Sequence, residues 1–214
     1  MDRYRVALVI PAFNEEATIS NVVRGASEYG RPIVVDDGSN DNTVELARRE
    51  GAIVVSHSLN QGYDAALSTG FETAAKLDFE VIITLDADGQ HDPALITRFL
   101  EAIENGADVV LGVRNRRPRI AEHIFAFYAR YRYRIYDPLC GMKAYKRHVY
   151  DAKGDFDSYK SIGTELALFA ARRKYVVEQI KFLVGDRQDQ PRFGRIFIAN
   201  IRILRAMLMD IFYS

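Results

Sequence analysis

The chain has 214 residues, 48% of them hydrophobic and 27% charged, with 29 Lys/Arg balanced by 29 Asp/Glu. This composition is typical of a globular protein with a substantial core, and a single cysteine, Cys140, excludes an internal disulfide framework. We expect no secretory signal, because residues 1–5 are charged and the apolar run after them stops at Pro11. No apolar run is long enough to predict a membrane span.

The balanced charge hides a difference between the two halves of the chain. Residues 1–107 carry 8 Lys/Arg and 18 Asp/Glu, whereas residues 108–214 carry 21 and 11. An acidic half suits a cation-bridged ligand, and a basic half suits phosphates or an anionic surface. The alternative is that folding interleaves the two halves and largely cancels the dipole.

Strands and helices are predicted to alternate along the first half of the chain. The predicted strands are 5–10, 33–36, 52–56, 81–85 and 108–112. The predicted helices begin at Asn14 as N-cap, at Thr43, after Gly62 and at Pro93. Short connections between them indicate an α/β fold with a mostly parallel sheet flanked by helices. Further along, a late strand is predicted at 176–184 and an amphipathic helix at 196–212.

The segment 81–93, VIITLDADGQHDP, is the centre of this prediction. Its apolar half predicts a strand buried on both faces, and Asp86 and Asp88 follow where that strand ends. Open α/β sheets bind ligands at this edge. One or two carboxylates can hold Mg²⁺ or Mn²⁺ while substrate phosphates complete the shell. For a lone D-x-D, a solvated acidic turn is the alternative.

Five motifs in order resemble the family-2 glycosyltransferases of the GT-A (Rossmann-like) fold. They are Pro11-Ala12-Phe13-Asn14-Glu15-Glu16, Val34-Val35-Asp36-Asp37-Gly38-Ser39, Asn60-Gln61-Gly62, Asp86-Ala87-Asp88-Gly89-Gln90-His91-Asp92-Pro93 and Gly112-Val113-Arg114. Asp137-Pro138-Leu139-Cys140-Gly141-Met142-Lys143 is similar to the D-x-x-S-G-[FM]-[RK] element of the polyprenyl-phosphate (dolichyl-phosphate mannose synthase-like) branch. The resemblance covers about residues 5–145.

This resemblance implies a site for a nucleoside-diphosphate sugar across the strand ends. The implied donor-binding residues are Pro11, Phe13, Glu15, Val35, Asp37, Asp86, Ala87, Asp88, Arg114 and Arg192. The implied ligands of Mg²⁺ or Mn²⁺ are Asp86, Asp88 and Gln90, and Asp88 is assigned a catalytic role with the metal, which stabilises the departing diphosphate. Asp36 is the alternative to Asp37, and simple packing is the alternative for Phe13.

The implied acceptor site contains Asp137, Arg117, Lys143 and Glu165. Asp137 matches the family position proposed to orient or deprotonate the acceptor, and we assign it as catalytic. Glu165 is the competing base, or else a helix N-terminal residue that interacts with the helix dipole. A phosphate monoester is largely dianionic near neutral pH, so positioning by cations would matter more than base catalysis.

Two segments suggest contact with a surface. Between Arg114 and Asp137, arginines alternate with aromatic residues, which suits a membrane interface or, alternatively, a helix that covers the sheet. No nucleic-acid motif accompanies them. Arg202 and Arg205 exclude 196–212 as a membrane span, which leaves a membrane surface, a dimer contact or the core.

Together these features predict a single GT-A domain over 1–214, with a nucleotide-sugar part (1–115), an acceptor part (116–195) and a C-terminal amphipathic helix (196–214). The predicted function is metal-dependent, inverting sugar transfer from a UDP- or GDP-sugar to a polyprenyl phosphate at the cytoplasmic membrane face. The alternatives are a saccharide or other soluble acceptor, and a catalytically inactive nucleotide-binding subunit. A homo-oligomer remains open.

Overall fold

A seven-stranded sheet runs through the centre of the molecule in the order β3-β2-β1-β4-β6-β5-β7. The computed structural model describes residues 5–90, 92–183 and 196–213, with backbone only for 196, 197 and 213. The strands are β1 (Val6–Ala12), β2 (Arg31–Asp36), β3 (Ile53–Ser56), β4 (Val81–Thr84), β5 (Val109–Arg114), β6 (Lys143–Lys146) and β7 (Val177–Phe182). All paired neighbours are parallel except those of β6, which is antiparallel to β4 and β5.

Helices cover both faces of this sheet. They are α1 (Ile19–Ala26), α2 (Thr43–Arg49), α3 (Tyr63–Lys76), α4 (Leu95–Glu104), α5 (Ile120–Tyr133), α6 (Arg147–Lys153), α7 (Glu165–Arg172) and α8 (Ile196–Tyr213). Alternate residues of β1 enter different hydrophobic clusters, Val9 in one and Leu8 and Ile10 in the other. The predicted α/β class, with a mostly parallel sheet buried on both faces, is therefore confirmed.

The first strand continues through Pro11, so the prediction that this proline ends it is wrong. Pairing with β2 extends to Ala12, whereas pairing with β4 stops at Val9. The Val9 carbonyl accepts from Leu85 N on the β4 side, and residues two apart point the same way. The N–H that Pro11 lacks would therefore point past the end of β4, where a proline is tolerated.

Two helices begin later than their predicted caps. Asn14, at φ 53°, accepts from Asn40 N (2.9 Å) through its side chain, so it joins two loops, and α1 starts at Ile19. Asp92 accepts from Ala94 N (2.9 Å), and α4 starts at Leu95 rather than at Pro93. Both side chains satisfy loop backbone instead of the helix.

The antiparallel strand β6 was not predicted, and it determines where residues 137–143 lie, which we call the acceptor motif after their predicted role. Lys143 pairs with Thr84 at the last position of β4. Because β6 runs against its neighbours, its first residue lies at the carboxyl edge of the sheet. The loop 134–142 that precedes β6 therefore reaches the same edge as the loops that follow β1, β2, β4 and β5.

The C-terminal helix is confirmed, and one of its faces joins the core. Ile203 and Ala206 are buried in a hydrophobic cluster. Asp210 is fully buried and accepts from Tyr128 OH (2.8 Å), Tyr133 OH (2.8 Å) and Arg172 Nη2 (2.7 Å). Among the described residues, no helix combines the length and apolar character needed to cross a bilayer.

Candidate active site

The candidate site lies beside β1, where the chain stops adding strands on one side of the sheet and begins to add them on the other. From β1 the chain adds β2 and β3 on one side and then places β4 on the other. Such a switch point opens a crevice at the carboxyl ends of the strands. The loops after β1, β2 and β4 meet there, and Thr18 Oγ1 donates to Ala87 O (2.7 Å) to join two of them.

The Asp86 carboxylate occupies the centre of the site. It is half-buried just past β4 and accepts from the Tyr63 hydroxyl (3.2 Å) at the first residue of α3. Desolvation of its hydroxyl and the adjacent Asp86 raise the pKa of Tyr63 well above its ordinary value, so the phenol remains a donor. On the other side is Gly141, where an added Cβ would lie only 2.6 Å from Asp86 Cγ. The acceptor motif thus packs directly on the carboxylate of the D-x-D loop.

The rest of the D-x-D loop forms a tight turn. Asp88 is 9% exposed and accepts from Gln90 N (3.1 Å), while Gly89 adopts a positive φ of 72°. The two carboxylates therefore lie on a turn rather than on an extended strand. No group of three or more His, Cys, Asp or Glu that could hold a metal occurs among the described residues. Two hard oxygen donors on a short loop fit a Mg²⁺ or Mn²⁺ whose remaining ligands come from substrate phosphates and water.

The two aspartates at the end of β2, Asp36 and Asp37, stabilise neighbouring loops. Asp37 is 4% exposed and accepts from Gln61 N and Gly62 N (2.8 Å each), and His57 Nδ1 lies 2.8 Å from Asp37 Oδ1. Asp36 accepts from Ser39 N (3.1 Å). Both side chains thus hold the shape of the crevice through backbone contacts.

The remaining donor-side candidates differ in accessibility. Pro11, Phe13 and Glu15 are half-buried along the end of β1 and the loop after it, and Glu15 N donates to Thr43 Oγ1 (2.8 Å). Val35 is fully buried in the core, so its side chain lies beneath the crevice rather than in it. Ala87 is buried in the D-x-D turn. Arg192 lies outside the described residues.

On the acceptor side, Asp137 and Arg114 form a buried ion pair. Asp137 is 1% exposed; its Oδ2 accepts from Arg114 N (3.0 Å) and Nε (2.8 Å), and its Oδ1 accepts from Arg114 Nη2 (2.9 Å). Burial opposes the charge on Arg114, but the bonds to Asp137 outweigh it and raise the pKa of Arg114. Glu122 of α5 extends the network to Arg114 Nη2 (3.3 Å) and Arg119 Nη1 (2.9 Å).

Lys143 lies under the site, 3% exposed, and donates from Nζ to Gly163 O. Burial lowers the pKa of Lys143 to about 8, although the nearby acidic groups, Asp137 and Asp86 among them, oppose that shift. The neighbouring Cys140 is fully buried, and burial together with Asp137 raises the pKa of its thiol to about 12. A thiol that is fully buried and has a raised pKa is a packing residue rather than a nucleophile.

Glu165 stabilises the loop 154–164. It is the first residue of α7, as expected, and accepts from Ser158 N (2.6 Å), Ser158 Oγ (2.7 Å) and Lys153 Nζ (2.8 Å). Arg117 is half-buried in the connection between β5 and α5, where its carbonyl lies 3.1 Å from His123 Nε2. Arg117 lies between Arg114 and Arg119, two members of the ion-pair network, along the sequence. Glu165 instead bonds to the loop 154–164 that precedes it.

The sequence analysis missed two residues of the site, Tyr63 and Asp64. Asp64 accepts from Gly163 N (2.7 Å), and Lys143 donates to Gly163 O. The backbone of Gly163 is therefore held on both sides of its Cα. Burial and the nearby Asp157 raise the pKa of Asp64 to about 6. The only local signal was their position immediately after the Asn60-Gln61-Gly62 motif.

Comparisons with known proteins agree with this architecture. The model of the family Glycosyl transferase family 2 matches residues 7–181. An uncharacterised protein of Methanocaldococcus jannaschii is 28% identical over 98% of this chain and 93% of its own length. The undecaprenyl-phosphate 4-deoxy-4-formamido-L-arabinose transferase of Aeromonas hydrophila is 35% identical over 92% of this chain and 65% of its own. The UDP-N-acetylglucosamine–dolichyl-phosphate N-acetylglucosaminyltransferase of Methanococcus voltae is 34% identical, over 53% of each.

Among solved structures, glucosyl-3-phosphoglycerate synthase from Mycobacterium tuberculosis, in complex with Mn²⁺, UDP and phosphoglyceric acid, superposes with a TM-score of 0.74. The two are 22% identical over 97% of this chain and 78% of the synthase chain, a likeness that supports the fold. The family match covers most of the chain, and the switch-point crevice carries the family's motifs in order. The chain therefore belongs to Glycosyl transferase family 2.

Proposed function

We propose that this protein transfers a sugar from a UDP- or GDP-sugar to a polyprenyl phosphate, with inversion and with Mg²⁺ or Mn²⁺, as one catalytic unit peripheral to the cytoplasmic membrane face. One observation carries the proposal: the Asp86 carboxylate packs against Gly141 of the acceptor motif. A donor group held at Asp86 would therefore lie next to an acceptor held by the loop 134–142. Transfer requires this juxtaposition.

On the donor side, Asp86, Asp88 and Gln90 would hold the metal. When bound, it would supply positive charge to stabilise the departing nucleoside diphosphate. The Tyr63 hydroxyl is neutral and orients Asp86 without competing as a cation. The nucleoside would lie across the loops after β1 and β2, with Pro11, Phe13, Glu15 and the Asp37-supported backbone around it.

On the acceptor side, we assign Asp137 an orienting role. Both of its oxygens accept from Arg114, so the carboxylate is already committed to holding that guanidinium in place. A phosphate acceptor is already ionised near neutral pH and needs no base. Arg117 would position that phosphate, and Arg114 and the buried Lys143 would add positive charge around and beneath it. The relatives from A. hydrophila and M. voltae, named for undecaprenyl and dolichyl phosphate, support this choice.

The test is nucleotide binding followed by transfer. Thermal unfolding is measured with UDP-, GDP-, CMP- and dTDP-sugars, each with Mn²⁺, Mg²⁺ or a chelator, for the wild type, Asp86→Ala and Asp92→Ala. We expect one nucleotide to raise the midpoint only with metal. Asp86→Ala should abolish that rise, whereas Asp92→Ala should keep it, because Asp92 belongs to the same loop but turns toward α4.

With the donor identified, transfer is assayed on polyprenyl phosphates and on soluble phosphate esters. Glycosylated polyprenyl phosphate supports the proposal. Transfer to a soluble acceptor alone would show that the acceptor is not a polyprenyl phosphate, and the donor part of the proposal would stand. If no nucleotide shifts the midpoint of the folded protein, the proposal fails; a metal-dependent shift without transfer to any acceptor would instead favour the inactive nucleotide-binding subunit.

A further inference from the structure

Two helices expose an unusual amount of apolar surface on the outside of the molecule. On α5, Ile120, Ile124, Phe127 and Tyr131 are spaced as one helical stripe, and Phe127 and Tyr131 are 76% and 86% exposed. On α8, the exposed apolar side chains are Ile198, Ile201, Leu208, Ile211 and Phe212. Exposed apolar clusters of this kind mark interaction sites more often than inert surface.

The two helices lie side by side and run in the same direction. Near their starts, Ala121 N donates to Asn200 Oδ1 (3.3 Å). Near their ends, Tyr128 OH and Tyr133 OH both donate to Asp210 (2.8 Å each). The two exposed stripes therefore form one surface, which we call the α5/α8 face.

The α5/α8 face is positively charged. Each helix contains one acidic residue, Glu122 on α5 and Asp210 on α8, and both are buried in ion pairs. The exposed charged residues are Arg130 and Arg132 on α5 and Arg202 and Arg205 on α8. These helices thus bury both carboxylates while they expose Phe127 and Phe212, which inverts the usual distribution at those positions.

We propose that the α5/α8 face docks on an anionic lipid bilayer, with its aromatic and aliphatic side chains at the headgroup level and its arginines on lipid phosphates. This combination is what interfacial helices use. A second copy of the chain fits less well, because a symmetric contact would bring the arginines of both faces together without any exposed carboxylate from either helix.

This inference rests on the proposed function and adds how the protein would be oriented on the bilayer. Glu122, in the first turn of α5, accepts from Arg114, which holds Asp137. The face therefore begins beside the acceptor network, and exposed Arg116 and half-buried Arg117 lie in the short connection between the two. Docking would bring the acceptor side of the site to the layer where lipid phosphates lie.

The experiment is sedimentation with vesicles of phosphatidylcholine alone or mixed with phosphatidylglycerol. The double variant Phe127→Glu/Phe212→Glu is compared with Leu77→Glu, which changes an exposed residue at the end of α3, away from the face. All three positions are exposed, so folding should persist. We expect the wild type and Leu77→Glu to bind the anionic vesicles, with binding weakened by salt. The double variant should bind at least tenfold more weakly.

Three outcomes would overturn this inference. The wild type could fail to bind anionic vesicles, the double variant could bind as well as the wild type, or sedimentation velocity could reveal a dimer that only the double variant dissociates. The nucleotide-dependent midpoint shift is measured on the same samples. If it persists while vesicle binding fails, only the docking inference is lost; if it is absent, the proposed function fails separately.

Discussion

The carboxylates Asp86 and Asp137 lie on neighbouring loops of one crevice and are held in opposite ways. Asp86 accepts from the neutral Tyr63 hydroxyl and faces the glycine of the acceptor motif. Asp137 is nearly inaccessible, and a single arginine donates to both of its oxygens. One carboxylate thus keeps its charge available to a cation from outside, and the other is neutralised by a cation of the protein.

This difference shows that residue type and strand-end position do not determine a carboxylate's role. Asp86 is suited to a metal that arrives with substrate, whereas Asp137 is suited to fixing a guanidinium in place. The acidic half presents Asp86 at the crevice, while the basic half uses Arg114 and Arg119 to neutralise its own Asp137 and Glu122.

Breaking the Asp137 pair should have the largest effect on stability. Asp137→Ala leaves Arg114 largely buried with only Glu122 beside it, so we expect a loss of about 3 kcal/mol in the free energy of unfolding. Urea denaturation measures this loss. Asp78→Ala removes a 91% exposed partner of Arg147, and because solvent screens such a pair it should change the free energy of unfolding far less. A stable Asp137→Ala enzyme without activity would instead favour a base role for Asp137.

Crowding the Asp86 carboxylate should weaken the binding of metal and nucleotide at the crevice. The added methyl of Gly141→Ala would displace the carboxylate, and we expect metal-dependent nucleotide affinity to fall by about 10- to 100-fold. Calorimetric titration with Mn²⁺ and the nucleotide measures this. Gly70→Ala crowds Val9 in the core and controls for a general packing defect. If both variants lose affinity equally, the contact with Asp86 has no special role.

Asp64 connects the start of α3 to Gly163, which Lys143 of the acceptor motif also holds, and a pH experiment tests this connection. Its pKa is raised from 3.8 to about 6, so the folded state binds the extra proton and wild-type stability should fall as pH rises between these values. Asp64→Asn keeps an acceptor for Gly163 N and lacks the titration. Between pH 4 and pH 7, the free energy of unfolding of Asp64→Asn should rise by on the order of 2 kcal/mol relative to that of the wild type. Parallel stability curves would contradict this.

The mildest test removes one hydroxyl. Tyr63→Phe takes away the hydrogen bond that orients Asp86 and should weaken Mn²⁺ affinity about tenfold, with little change in unfolding. The readout is the Mn²⁺ concentration needed for half of the nucleotide-dependent midpoint shift. Tyr131→Phe, on the exposed face of α5, should leave that concentration unchanged. Equal behaviour of the two variants would mean that Tyr63 does not support the metal loop.

Much of the fold could be predicted from local patterns. Apolar β-branched runs such as 81–84 and the turn residues after them indicated the parallel strands and hence the edge that carries Asp86. In contrast, β6 reads Lys-Ala-Tyr-Lys and has no strand pattern of its own. Lys143 is buried only because β4 and β5 flank it, which is a tertiary effect.

Several predicted site residues lie at one crevice, but their hydrogen-bond partners could not be foreseen from the sequence. Asp137 bonds to an arginine 23 residues away, and Asp37 bonds to backbone 24 and 25 residues away. No local spacing encodes such contacts. Tyr63 and Asp64 were missed for the same reason, since their importance depends on the loops folded over the start of α3.

The position of β6 between β4 and β5 also bears on the order in which the protein is made. While a ribosome has delivered only the strands up to β5, the facing edges of β4 and β5 have no partner. The part of the chain up to β5 can pack early, but its D-x-D loop meets Gly141 only after residues 137–143 emerge. A nascent or truncated chain that ends before residue 143 would leave open strand edges, which invite pairing with other chains.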